Sequence, residues 1–286
     1  MQAAVTEADG PGWVALRGVH VRVHRSTAMG FDHPTAMLLE HFDVPDHAGT
    51  TFVLGDNVFH PVAHFRQFYP ASRIVVYQLE QMVGSETWHP VDRIVEHLRG
   101  ADAVWDFDPL NAVFLGWRGV VVDRVVPMLY THSLERVSLR EQPRIDVLFT
   151  GYLNDRRHRI FSVLQQRLYQ HRVRLMWLQG VEGPDLDHYI GDARIVLNLH
   201  AFEPWHRQEQ TRIFYPLING RMVVSETSET NWFGDAIVEA EVDGLADALL
   251  HWLAKDRWRG YGLEARGRFR RQTAAWLAQQ PEVAAA

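Results

Sequence analysis

The sequence predicts an α/β protein made of two doubly wound parallel-sheet domains with a helical C-terminal segment. Two observations carry that prediction: short apolar runs recur with longer amphipathic segments between them, and polar residues repeatedly follow the runs. The first is the pattern of βαβ units. The second puts polar groups beyond the carboxyl ends of strands, where open α/β sheets bind ligands. A length of 286 residues suits one large domain or two of about 140.

In the first half, Val19 to Val23 (VHVRV) reads as a strand, followed by a loop holding Gly30-Phe31-Asp32-His33-Pro34 and a helical pattern through Leu39. Thr51 to Leu54 is a second strand that stops at Gly55-Asp56-Asn57; Arg73 to Leu79 (RIVVYQL), Asp102 to Phe107 and Gly119 to Val122 supply three more. The segment Pro127 to Pro143 breaks the rhythm, and its polar stretch THSLERVSLREQP is the candidate linker. Strands then resume at Ile145 to Phe149, Arg174 to Trp177, Ala193 to Leu199 and Arg221 to Ser225, with Ala236 to Glu239 as a last one. From about Leu245 the chain reads as helix, with Arg266, Arg268, Arg270 and Arg271 at its basic end. The expected domains are therefore 1–142 and 143–270, with 271–286 as the helix end and tail.

Composition narrows the function. Hydrophobic content of 47% with 22% charged residues describes a globular protein with a sizeable core and excludes disorder. The absence of cysteine removes disulfides, thiolate metal sites and thiol nucleophiles, and agrees with a reducing cytoplasm. No apolar run reaches the ~18 residues of a membrane span, and MQAAVTEADG lacks a basic region followed by an apolar one. The expectation is a cytoplasmic protein with at most peripheral membrane contact. A net charge of -6 argues against general nucleic-acid binding.

The stretch DVLFTGYLNDRRHRIF, residues 146–161, is the first candidate site. Gly151 ends a strand where a missing Cβ lets a ligand approach the backbone. A helix beginning near Asp155 would set free N–H groups and its positive dipole end beside Arg156, Arg157 and Arg159, a place for a diphosphate. The competing reading has Asn154 or Asp155 capping the helix while the arginines stay solvated. Neither GxxxxGK[ST] nor GxGxxG is present, which disfavours a P-loop ATPase or a standard dinucleotide dehydrogenase.

The stretch ARIVLNLHAFEPWHRQEQTRIFYPLINGRMVVSET, residues 193–227, places a strand, a polar loop, a helix around Thr211 to Ile218, Gly220 as helix stop and another strand ending at Ser225-Glu226. In this order the chain resembles the nucleotide-sugar half of the GT-B glycosyltransferases, in particular bacterial group 1 members. RIVVYQLEQM (73–82) and ADAVWDFDPLN (101–111) resemble the middle of their N-terminal half. The resemblance implies two Rossmann-like domains and transfer of a sugar from a nucleoside-diphosphate donor to a hydroxyl acceptor, with no cofactor and no metal. The partners it implies are the nucleotide-sugar donor and a glycan, lipid-linked or small-molecule acceptor. It assigns the donor to Gly151, Asn154, Arg157, Gln179 with Gly180, Glu209, Arg212 and Glu226. The chain departs from the pattern at one point: retaining members carry two glutamates eight positions apart, and Tyr215 stands where the second belongs. Glu203, Glu209 and Glu226 are nearby, and Arg212 lies one helical turn before Tyr215.

Acceptor activation falls to Asp32 or His33 after the first strand, with Glu80 at the end of another. Asp106-Phe107-Asp108 is the competing clue, because a DxD after an apolar run is how metal-dependent GT-A transferases hold a divalent ion. Asp185 and Asp187 form a second DxD, expected in a solvated loop. His132, His158, His171, His188, His200 and His206 show no HExxH or compact ligand set. Trp177, Trp232, Trp252 and Trp258 could line a sugar or lipid site, but spacing in the last helix favours packing. Three alternatives to a GT-B transferase stay open: a non-hydrolysing nucleotide-sugar epimerase, a catalytically silent sugar-nucleotide-binding subunit, and a GT-A-type transferase using Asp106 and Asp108.

Overall fold

A computed structural model describes residues 18–26, 30–82, 91–202 and 207–280; the polar leader, Glu203 and His206 lie outside them. The chain divides into two compact units, residues 1–129 with 276–286 and residues 130–275. The polar stretch 131–143 thus groups with the second unit.

The first unit contains β1 (Val21–Arg25), α1 (Asp32–His41), β2 (Thr50–Leu54), α2 (Val62–Phe68), β3 (Arg73–Gln78), α3 (Val91–Leu98), β4 (Ala103–Asp106), α4 (Pro109–Trp117) and β5 (Arg124–Val125). Its strands are all parallel and lie side by side in chain order. Alternation along the strands serves two faces. Val53, Val76 and Val104 enter a core with Phe65 of α2, Ile94 and Val95 of α3 and Leu115 of α4. On the opposite face Trp105 meets Phe52 at 4.9 Å and Phe42, at the end of α1, at 5.0 Å. Both faces are covered, which is why β2 and β3 read as continuous apolar runs.

The strand expected at Gly119 to Val122 forms at Arg124–Val125 instead. Gly119, at φ +76°, closes α4: its N–H and that of Val120 bond the carbonyls of Gly116 and Leu115 at 3.1 and 2.9 Å. Val120 packs in the core with Leu115. The apolar run GVVV is thus spent partly on ending a helix.

The second unit contains β6 (Ile145–Thr150), α5 (Asp155–Tyr169), β7 (Leu175–Leu178), α6 (Gly183–Gly191), β8 (Ala193–Asn198), α7 (Gln210–Ile218), β9 (Met222–Glu226), β10 (Val238–Ala240), α8 (Leu245–Leu253) and α9 (Arg257–Ala278). The parallel order is β10-β9-β8-β6-β7. From β6 the chain moves to β7 on one side and then to β8 on the other. The carboxyl ends of β6 and β8 therefore flank a topological switch point, the place where such sheets leave a crevice for a ligand. Val147, Phe149, Ile195, Leu197 and Val224 pack against Phe161, Leu164 and Leu168 of α5 and Leu245 and Leu249 of α8. The two parallel sheets with flanking helices and a helical C-terminal segment are the α/β architecture the sequence predicts. Among the described residues no helix is long and apolar enough to cross a membrane.

Candidate active site

At the switch point the backbone leaves β6 through Gly151, whose N–H bonds Leu178 O at 2.9 Å and whose φ of +135° favours glycine. The Trp177 indole N–H donates to Gly151 O at 2.8 Å. Asn154 caps α5, its Oδ1 accepting from the Arg157 N–H at 2.9 Å. The capping half of the competing reading is therefore correct. Its other half is not: Arg156 and Arg157 are 7% and 3% exposed, and only Arg159 reaches solvent.

The two buried arginines face inward because carboxylates wait for them. Arg156 makes a two-pronged pair with Glu226, the last residue of β9, with Nη1 to Oε2 at 2.9 Å. It also donates to His200 O at 2.9 Å, and Glu226 Oε2 accepts from the His200 N–H at 3.0 Å. Arg157 donates from Nε to Leu199 O and from Nη1 to Tyr152 O, both at 3.0 Å, and from Nη2 to Glu209. The second oxygen of Glu209 accepts from Arg212 Nη1 at 2.6 Å, and the same nitrogen donates to Asn198 Oδ1 at 3.1 Å. Glu209 immediately precedes α7 and Arg212 stands three positions on, which brings the two onto one side of the helix. The Nε–Nη2 edge of Arg212 faces Gly151: a methyl group at residue 151 would meet these atoms at 3.1 and 3.0 Å. Among the described residues that edge has no hydrogen-bond partner.

Burial lowers the Arg157 pKa to about 10, against the opposing pull of Glu209, so the guanidinium stays charged at neutral pH. Burial pushes Glu209 up, but the charges of Arg157 and Arg212 outweigh it and hold the carboxyl below its ordinary range. Glu226 is likewise pushed up by burial and held low overall, first by its hydrogen bond from Arg156. The three guanidinium groups and two carboxylates sum to one positive charge beside the amino end of α5, which suits an anionic ligand group.

The structure thus brings Gly151, Asn154, Arg157, Glu209, Arg212 and Glu226 to one end of the second sheet. Gln179, exposed, follows β7 at the same end. Two of the arginines are committed inward, and Glu226 lies beneath Arg156 at 1% exposure. Tyr215 bonds Asp187 and accepts from Arg136 Nε at 3.0 Å. The position eight before it is Arg207, buried and paired with Glu229. A cation and a phenol therefore stand where the resemblance implies glutamates, each meeting an acid from another element. Asp187, expected with Asp185 in a solvated loop, is on α6 instead and is held by Tyr215 and Arg136.

In the first unit Asp32 and His33 occupy the first turn of α1, one step beyond the loop the sequence suggested, because Pro34 fits a helix start. Asp32 pairs with Arg25 at 2.8 Å and is 53% exposed. Glu80 lies two residues past β3, its carbonyl accepting from Asn111 at 2.9 Å. The DxD pair is engaged elsewhere. Asp108 caps α4, accepting from the N–H groups of Leu110 at 2.8 Å and Asn111 at 3.3 Å. Asp106 is fully buried, accepts from the Asp108 N–H at 2.9 Å and from Asn111 at 3.1 Å, and has its pKa driven well above the usual range by burial. A divalent cation prefers ionised, approachable carboxylates. Among the described residues no group of three or more His, Cys, Asp or Glu could hold a metal.

Because burial raises its folded-state pKa, Asp106 contributes stability that is complete below its unfolded pKa of about 3.9 and is lost as pH rises toward the folded value. Asp106→Asn is expected to melt no lower than the wild type at pH 8, with the difference shrinking at pH 4. A lower melting temperature at pH 8 would contradict a raised Asp106 pKa.

No family model and no curated protein matches the sequence. Solved structures match it in fold, and the fold they share with this chain is that of the GT-B glycosyltransferases. One is S. aureus TarM, in a complex with fondaparinux, α-GlcNAc-glycerol and UDP (TM-score 0.57, 10% identity, covering 82% of this chain and 55% of that one). Others are HepE of Anabaena with UDP and glucose (0.53, 13%, 82% and 78%) and sucrose-phosphate synthase of Thermosynechococcus elongatus (0.52, 13%, 83% and 75%). The chain spans about half the length of TarM and about three quarters of the other two. At these identities the likeness is one of fold.

Proposed function

We propose that this chain is a cytoplasmic bacterial glycosyltransferase that moves a sugar from a nucleoside-diphosphate donor to a hydroxyl acceptor without an essential metal. The open Arg212 edge beside Gly151, at the switch point of the second sheet, carries the reading. As the bond from the anomeric carbon to the diphosphate breaks, negative charge grows on the leaving phosphate. Fixed N–H donors already in place stabilise that charge without reorganising. Arg212 and the first-turn N–H groups of α5 are such donors, with Gly151 admitting the phosphate and Gln179 placed for the base. Asn154, Arg157 and Glu226 hold these elements in place. At the carboxyl end of the first sheet, Asp32 or His33 takes the acceptor proton, with Glu80 nearby in the same row of strand ends. The UDP bound in the TarM and HepE complexes makes uracil the first base to try.

A thermal-shift panel of UDP, GDP, TDP, CDP and ADP, with and without EDTA and with a nicotinamide dinucleotide as control, tests the donor site. A ligand at a hundred times its Kd adds about 2.7 kcal/mol of stability. One responder that EDTA leaves unchanged supports the reading; a response to the dinucleotide alone rejects it. Donor turnover without acceptor would point to the epimerase alternative, and binding without turnover to a silent subunit.

A further inference from the structure

We infer that Glu209 is a positioning residue: braced by Arg157, its carboxylate aims the Arg212 guanidinium at the anion seat beside Gly151. The inference rests on the proposed donor site and assigns to Glu209 a role that proximity to that site does not suggest. A carboxylate next to a phosphate ordinarily repels it. Here both oxygens are spoken for, one by Arg157 Nη2 and the other by Arg212 Nη1 at 2.6 Å.

The surroundings leave Arg212 little freedom. Its Nη1 is also held by Asn198 Oδ1 at 3.1 Å, and the Asn198 amide is itself oriented by donating to Ser225 Oγ at 3.0 Å. The Phe149 ring lies under both cations, 5.8 Å from the guanidinium carbon of Arg212 and 5.7 Å from that of Arg157. Arg157 cannot swing toward a ligand without abandoning the carbonyls of Leu199 and Tyr152. It is a brace for Glu209, and of the two guanidinium groups that of Arg212 keeps its Nε–Nη2 edge open among the described residues. An edge of two parallel donors is the geometry that grips phosphate oxygens in pairs, and it works only if its direction is fixed before the ligand arrives.

The sign of one substitution separates positioning from plain electrostatics. Glu209→Gln removes a negative charge, so a seat governed by charge alone binds anions more tightly. A glutamine has one acceptor oxygen for two arginines and turns N–H donors toward the other. In the positioning account Arg212 or Arg157 is released and affinity falls about tenfold or more, the scale of a charge-assisted hydrogen bond. Glu209→Asp keeps the charge and withdraws the carboxylate by one methylene. Positioning predicts weaker binding for this variant also, and charge alone predicts none.

The experiment is isothermal titration of wild type, Glu209→Gln and Glu209→Asp with inorganic pyrophosphate and with UDP, alongside melting temperatures. Weaker binding of pyrophosphate by folded variants is the expected result; a merely structural role would lower the melting temperature and leave Kd alone. Wild-type affinity or better in Glu209→Gln, or in Glu209→Asp should the glutamine variant fail to fold, overturns the positioning role and leaves the nucleotide reading standing. Wild type that binds pyrophosphate but none of the nucleoside diphosphates rejects the nucleotide reading, and the variants still decide the role of Glu209. Wild type that binds neither removes the seat and the inference with it.

Discussion

Arg156→Ala is expected to cost about 3–5 kcal/mol of stability, the usual penalty for leaving one partner of a buried ion pair uncompensated. Glu226 would stay at the end of β9, essentially without solvent and without its two charge-assisted bonds from Arg156. Urea unfolding followed by fluorescence should show a lower midpoint for the second unit. The double substitution Arg156→Met with Glu226→Leu should recover most of the loss, since the desolvation penalty disappears with both charges. A single alanine variant that unfolds like the wild type would mean the pair is solvated. The pH dependence has a definite sign. Glu226 is held below its ordinary range, so its contribution is complete above the unfolded pKa of about 4.3 and fades as pH falls through the folded value. Glu226→Gln should therefore flatten the acid limb of the stability profile.

Arg212→Ala should weaken nucleoside-diphosphate binding by about 1.5–3 kcal/mol, the worth of a hydrogen bond to a charged group. In Kd this is roughly a ten- to hundredfold loss. The fold should survive, because Arg212 keeps partial exposure and Glu209 would still be neutralised by Arg157. Arg212→Lys should fall between the two, retaining charge but not the paired donors. Calorimetric titration with the responding diphosphate checks all three proteins, and an unchanged Kd for the alanine variant would take Arg212 out of the donor site.

Period and punctuation made the strands legible. Runs such as RIVVYQ and ARIVLN are buried on both faces, and their short length, β-branched content and flanking helical segments favour a parallel strand between helices. The edge strands were harder: β5 has two residues, and the valines before it close α4 around Gly119. The crowd of arginines after Gly151 was legible as a candidate site because its composition and its place at a strand end agree. What each arginine does was not. Arg156, Arg157 and Arg159 are consecutive or nearly so, yet helical geometry turns two inward and one outward, and their partners Glu226 and Glu209 are 70 and 52 residues away. Shorter separations, 22 and 28 residues, likewise hid Glu229 behind Arg207 and Asp187 behind Tyr215. No local pattern announces such pairs. The DxD at Asp106 is the opposite case, a motif whose letters match while burial and a helix cap use up its chemistry.

The grouping of residues 276–280 with the earlier unit, described from residue 18 to 129, also sets a timetable for synthesis. A chain emerging from the ribosome at about 5–20 residues per second folds its domains as units, usually the earlier one first. Here the earlier sheet has its strands long before its closing segment is made, and every residue of the later sheet is translated in between. The half that starts first is completed last.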